Sequence, residues 1–207
     1  MFGTLAMVLV WGGSVESYRA AGRRVGPSLP PPCPRCGQPT VFWSGYVRHL
    51  RVGFDPDSGV GRIVPLWVRR VHCRRCRLTP GMLPAFCLSR RLDEVSVIGL
   101  TLARVVEGQP VAAAAALMAV ARSTARGWVC RFQAVAGVIA GRFASLAVEL
   151  GSGPFDLDAR PARAALQAIG RAWQAARRLR VGNVVGLWRF AAVVSGGALL
   201  ATNRSPP

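Results

Sequence analysis

Two short stretches hold the residue types best suited to chemistry. Cys33-Pro34-Arg35-Cys36-Gly37 is answered by Cys73-Arg74-Arg75-Cys76. Each Cys-x-x-Cys sets two thiols on one tight turn, and Gly37 lets the backbone reverse after the first pair. Two such turns brought together give four sulfurs in a tetrahedron, the donor set that a single structural zinc ion accepts. Four thiolates leave no open position for water, so the predicted metal is a brace and not a Lewis acid. A redox reading of either pair needs a βαβ context, and none is visible around them. His49 and His72 are the alternative ligands, His72 through its place beside Cys73. Cys87 and Cys130 have no partner at ligand spacing and read as small buried hydrophobes.

To close four sulfurs over one ion, the chain between the pairs must double back. From Cys33 to about Pro84 the pattern is strand-like. Val41-Phe42-Trp43 and Tyr46-Val47 stand on one side, and Ile63 to Val68 on the other. The turn formers from Gly53 to Gly59 lie between them. The stretch predicts a β-hairpin with a long loop, the core of a zinc ribbon spanning residues 31–88. Ahead of it, Phe2 to Trp11 reads as a buried strand and Ser14 to Arg24 as a short amphipathic helix. A proline-dense linker, Pro27 to Pro34, then runs extended. These make a leading unit over residues 1–30.

Beyond the ribbon the period becomes helical, over residues 89–150. Asp93 is placed to cap a helix through Val106, with Val95, Gly99, Leu102 and Val106 on one face and Gly108 at its end. Pro110 suits the first turn of a second helix reaching Met118. Ser123 is placed to cap a third, running at least to Phe132. Ala125, Trp128, Val129 and Phe132 form its buried stripe. Arg122, Ser123, Thr124, Arg126, Gly127 and Arg131 occupy its start and other face. This is the layout of a helix-turn-helix, whose second helix presents its N-terminal side chains to the major groove. Ala115, Ala119, Ala125 and Trp128 fit the spacing of such a unit. Ala119 stands where glycine would take positive φ without strain. A last helix is expected from Pro161 to Arg180, then an apolar tail, in a unit covering 151–207. The expected fold class is α+β.

Charge narrows the partner. The chain has 27 basic against 9 acidic side chains, a net charge of +18, and every one of its cations is arginine. Arginine grips phosphate through a planar, permanently charged fork, although a GC-rich genome produces the same bias. A four-thiolate site with one divalent ion subtracts only two charges. Arg35, Arg69, Arg70, Arg74, Arg75 and Arg77 crowd the two turns and are candidates for phosphate contact or for balancing the thiolates. The expected partner is double-stranded DNA, with a second copy of the chain, as a homodimer, the other candidate partner. With 51% hydrophobic residues the chain is too apolar for general disorder. No membrane partner is expected. Phe2 to Trp11 is too short for a span and lacks a preceding cation and a clean cleavage site, while Val184 to Ala201 carries Arg189 near its middle. The chain reads as soluble and cytoplasmic, where thiols stay reduced.

The Cys33 and Cys73 motifs, Phe42-Trp43-Ser44-Gly45-Tyr46, Leu83-Pro84-x-Phe86, Arg91-Leu92-Asp93 and Thr124-Ala125-Arg126-Gly127-Trp128 also carry a resemblance. With the tail Ser195-Gly196-Gly197 to Ala201-Thr202-Asn203, it covers nearly the whole chain. The chain resembles a family of domains of unknown function from high-GC Gram-positive bacteria. It is also similar to the zinc-ribbon plus helix-turn-helix front end of insertion-sequence transposases. The resemblance implies a metal-binding, DNA-binding module and brings no established activity. A transposase needs three carboxylates holding two metal ions. Asp55 and Asp57 fall in a loop, Asp93 and Glu94 open a helix, and Asp156 and Asp158 follow a linker. No P-loop, nucleophile elbow or His-Glu-x-x-His is present, and no small-molecule substrate is evident. The expected function is a DNA-binding regulator or transposase-related recognition module rather than an enzyme. A zinc-stabilised protein adaptor and a transposase fragment are the rival readings.

Overall fold

The computed structural model describes residues 7–54, 61–180 and 186–200. The loop expected between the long strands falls largely on residues 55–60, outside the described residues, as does much of the leading strand.

Alternation of apolar and polar residues makes the hairpin. Strands β2 (Val41–Phe54) and β3 (Gly61–His72) pair antiparallel, from Val41 opposite His72 to Phe54 opposite Gly61. Leu50, Val52, Val64, Leu66 and Val68 are buried along the inner side. Residues two apart share a face of a pleated strand, so this face is fixed by the sequence. The register slips between Phe42 and Gly45, where Trp43 and Ser44 bulge from the ladder. A shorter parallel pair, β1 (Met7–Leu9) on β4 (Met82–Pro84), ties the leading segment to the chain just past the second cysteine pair.

Helix α1 (Val15–Ala21) starts at Ser14, whose side chain accepts from the Ser17 N–H at 3.1 Å. It locks onto the hairpin at two points. The Tyr18 hydroxyl donates to the Trp67 carbonyl at 3.0 Å, and Glu16 pairs with Arg62. The buried Tyr18 ring meets Trp11 and Phe86 edge-on, each with centroids 5.4 Å away.

Three helices follow: α2 (Val95–Val106), α3 (Val111–Leu117) and α4 (Arg122–Glu149). Two expected caps are not caps. Asp93 is occupied by Arg51, whose Nη1 lies 2.9 Å from its carboxylate, and Glu94 precedes α2 with no side-chain cap bond. The segment before α2 lies against β2 instead, with the Arg51 N–H donating to Leu92 and the Glu94 N–H to Arg51. Ser123 is not a cap either, because α4 begins at Arg122 after Ala121. Pro110 is the residue before α3 and not within it.

Helix α4 continues well past Phe132, where its expected stripe ends. Its buried side continues from Ala125, Trp128, Val129 and Phe132 through Ala136, Ile139, Phe143 and Ala147. The reason is α5 (Pro161–Arg178), which buries Ala164, Ala165, Ala168, Ala172, Ala175 and Ala176. A helix faced with alanine lets its neighbour approach closely, so α5 gives α4 a packing partner beyond the reach of α2 and α3. By length and composition α4 is the one described helix able to cross a membrane. Here its apolar stripe is packed in the core. Cys130 lies off that stripe and is exposed, whereas Cys87 is buried as expected.

Helix α6 (Leu187–Val194) and the residues up to Leu200 belong to the core. Trp188 lies over Gly99 of α2, where a Cβ would fall inside the indole ring. Arg189, the charge that interrupts the apolar tail, points inward. It donates to the Gly13 carbonyl at 2.7 Å, lies 3.8 Å from Glu94 and sits over the Phe86 ring at 5.3 Å. One buried cluster thus runs from Val15 through Leu66, Ile98, Phe132 and Ile169 to Leu200.

Candidate metal centre and basic surface

Both cysteine pairs sit at the open end of the hairpin, one before β2 and one after β3. The first turn hangs on the proline-rich segment, which is pinned to the strand start where Thr40 Oγ1 donates to the Pro31 carbonyl at 2.6 Å. Within the turn the Cys33 N–H donates to Gln38 at 2.8 Å and the Gly37 N–H to Cys33 at 2.9 Å. The second turn repeats the first bond, with the Cys73 N–H donating to Leu78 at 2.9 Å. The repeat extends to the backbone. Gly37 has φ +69° and its counterpart Arg77 has φ +55°, so both turns reverse through the left-handed region.

These paired turns bring the sulfurs of Cys33, Cys36, Cys73 and Cys76 within 4.8 Å of one another. The Cys33–Cys76 and Cys36–Cys73 sulfurs are each 3.5 Å apart. A tetrahedral thiolate site with metal–sulfur bonds of about 2.3 Å has sulfur–sulfur edges of about 3.8 Å, so these four donors fit one ion. The separations are far beyond a disulfide's S–S bond of about 2 Å. Electrostatics point the same way. Burial opposes charge on Cys33, but the backbone N–H groups of Arg35 and Cys36 outweigh it and bring the thiol down to about 6. For Cys73 the N–H of Cys76 is the leading influence and lowers it. The N–H of Leu78 pulls Cys76 down, yet burial and the neighbouring Cys33 and Cys73 sulfurs push it up to about 11. Four sulfurs this close oppose one another's ionisation, and a divalent ion removes that conflict.

Neither histidine is among these donors. His49 lies within β2, opposite Pro65. His72 Nδ1 lies 2.9 Å from Thr79 Oγ1, and its ring packs against Trp43 with centroids 5.3 Å apart. Around the turns, Arg35, Arg74, Arg75 and Arg77 are exposed. Arg69 and Arg70 are half-buried and engaged, Arg69 over the Phe42 ring at 3.4 Å and Arg70 donating to the Thr79 carbonyl at 3.3 Å. Sequence reasoning places Trp43 only as a strand residue. The Ser-Gly step after it is the available sign of a bulge.

The arginines of α4 form a second basic region. Arg122, Ser123 and Arg126 are exposed; Thr124, Gly127 and Arg131 are half-buried. Arg131 folds back to donate to the Gly127 carbonyl at 3.0 Å. No side chain caps α4, so its first N–H groups have no side-chain partner at the end that carries Arg122. Burial and the charges of Arg131 and Arg90 lower the pKa of nearby Arg91, the mark of a region with more cations than carboxylates. Between α3 and α4, Ala119 has φ +50°, while Ala115, Ala125 and Trp128 are buried.

Neither a protein-family model, nor a curated protein, nor a solved structure matches the chain.

Proposed function

We propose that the chain is a zinc-braced DNA-binding protein of the cytoplasm, serving as a regulator or as the recognition module of a mobile element. Zinc is the metal this donor set favours, since four thiolates in a tetrahedron suit a borderline-soft ion without geometric preference. The ion stabilises the hairpin end and does no chemistry. In this reading α3 and α4 are a helix-turn-helix, and the start of α4 enters the major groove of duplex DNA.

The observation that carries the reading is the α3–α4 turn. Ala119 adopts the left-handed conformation at the position such a turn requires, and Ala115, Ala125 and Trp128, at the spacing of the motif, are buried. Directly after it, Arg122, Ser123 and Arg126 stand exposed beside uncapped backbone N–H groups. A helix N-terminus with arginines is suited to phosphate and to guanine edges. Arg131 and Gly127 serve this surface less directly, because each is tied to the other.

Duplex binding measured across a range of salt concentrations tests the reading. Replacing Arg122 and Arg126 together by alanine is expected to weaken binding and to reduce the salt slope by roughly 0.9 for each phosphate no longer neutralised. Affinity and slope unchanged from the native chain would overturn this placement. Elemental analysis is expected to find one zinc per chain, absent after Cys73→Ser.

A further inference from the structure

The cysteine end of the hairpin has a feature that neither metal binding nor the α4 surface uses. Trp43, carried out of the ladder by the bulge, is 66% exposed. One side of its indole is supported by the His72 ring, tilted by 38° with centroids 5.3 Å apart. His72 is itself held by Thr79. An indole braced on one side and open on the other loses little freedom when a further ring stacks on it.

The surrounding charge selects what that ring belongs to. No acidic residue lies between Glu16 and Asp55, or between Asp57 and Asp93, in the whole chain. Arg62 and Arg51 are paired with Glu16 and Asp93 toward the helical side of the hairpin. At the cysteine end, Arg35, Arg74, Arg75 and Arg77 have no carboxylate partner among the described residues. His72, which supports Trp43, adjoins the turn that carries Arg74 and Arg75. An open aromatic face at the same end of the hairpin as arginines without carboxylate partners matches a nucleic-acid strand whose bases are free to stack. A paired duplex keeps its base faces covered.

We propose that this end of the hairpin binds an unpaired strand of DNA, with a base stacked on Trp43 and the adjoining phosphates on Arg74, Arg75 and Arg35. The choice of DNA over RNA rests on the α4 reading; the stacking surface does not. The molecule then has two nucleic-acid surfaces of different selectivity, one for duplex and one for exposed bases.

The test uses the full metal-loaded chain and labelled oligonucleotides: an unstructured thymidine strand, the RNA strand of equivalent sequence, and a duplex. Trp43→Ala is expected to lower affinity for the single strand by about tenfold without changing its salt slope, because stacking carries no charge. Trp43→Phe is expected to retain most of the binding. Arg74→Ala combined with Arg75→Ala is expected to reduce the slope by roughly 0.7 for each phosphate released. Replacing Arg122 and Arg126 is expected to spare the single strand while weakening the duplex, so the two readings fail separately. Failure of the native chain to bind the single strand overturns the proposal, as does equal affinity of the native and Trp43→Ala chains. Tighter binding of the RNA strand overturns the choice of DNA.

Discussion

The cysteine end of the hairpin and the α4–α5 pair are held by opposite means. At the cysteine end the large side chains point outward: Trp43, Arg35, Arg74 and Arg75 are exposed, and what converges is four sulfurs. Along α4 and α5 the convergent residues are Ala136, Ala140 and Ala147 on one helix and Ala165, Ala168 and Ala172 on the other, all buried. Burial of apolar surface stabilises the helices without help, at roughly 25 cal/mol for each Å² removed from water. The hairpin end has little such surface to remove, and a metal ion held by the four sulfurs would supply order there instead. In the zinc-braced reading, the arginine-rich tip is free of packing demands and its rigidity is left to the metal and the helical body.

Removing the metal is the strongest way to break the comparison. Structural zinc sites contribute an apparent ~10 kcal/mol or more to the peptides they fold. Chelation, or Cys73→Ser, is therefore expected to release the two turns while the helices stay folded. Hydrogen exchange read residue by residue checks this. The Cys33, Gly37 and Cys73 amides should lose protection by orders of magnitude, with the amides of α4 and α5 little changed. Uniform loss across both regions would show that the helices depend on the metal as well.

What is legible in the sequence divides along the same line. The four cysteines are legible because their spacing encodes a turn, and the stripe on α4 because 3.6 residues per turn is a local property. Asp93 reads as a cap, since an acidic residue before an apolar run suits that role. Its partner Arg51 is brought to it only by the fold. Arg189 argues against a membrane span in the sequence, but the Gly13 carbonyl and Glu94 that receive it come from two other segments. Ser123 does not cap because the chain becomes helical one residue earlier. The residue type of Cys130 suggests burial, whereas the position of α5 decides which side of α4 is covered. Side chains whose role depends on a distant segment are the ones that local pattern does not place.

The helical body can be broken without touching the cysteines. Gly99 of α2 lies under Trp188, and Gly99→Ala forces that indole to move. Overpacking of this kind costs about 1–3 kcal/mol. In a chain of this length each kcal/mol lowers Tm by roughly 2–4 °C. Thermal unfolding is expected to show that drop, with zinc content equal to that of the native chain. A loss of zinc on Gly99→Ala would mean that the two regions are energetically coupled and the contrast between them is wrong.

The smallest effect compares the two turns with each other. Both reverse at positive φ, through Gly37 in one and Arg77 in the other. Glycine enters that region freely, whereas a side chain adds strain on the order of 1 kcal/mol. Gly37→Ala is therefore expected to weaken metal retention about fivefold in competition with a chelator. Arg77→Gly should strengthen it, by a smaller factor, because glycine also gives the unfolded chain more freedom to lose. Arg77 stands at positive φ, where glycine would serve a purely metal-holding turn with less strain. In the single-strand reading, its exposed guanidinium, carried on the same turn as Arg74 and Arg75, offsets that cost by meeting phosphate. Arg77→Gly should accordingly hold zinc more tightly and bind the single strand less well, two readouts of opposite sign from one substitution. If both move in the same direction, the second turn carries arginine for some purpose other than contact with phosphate.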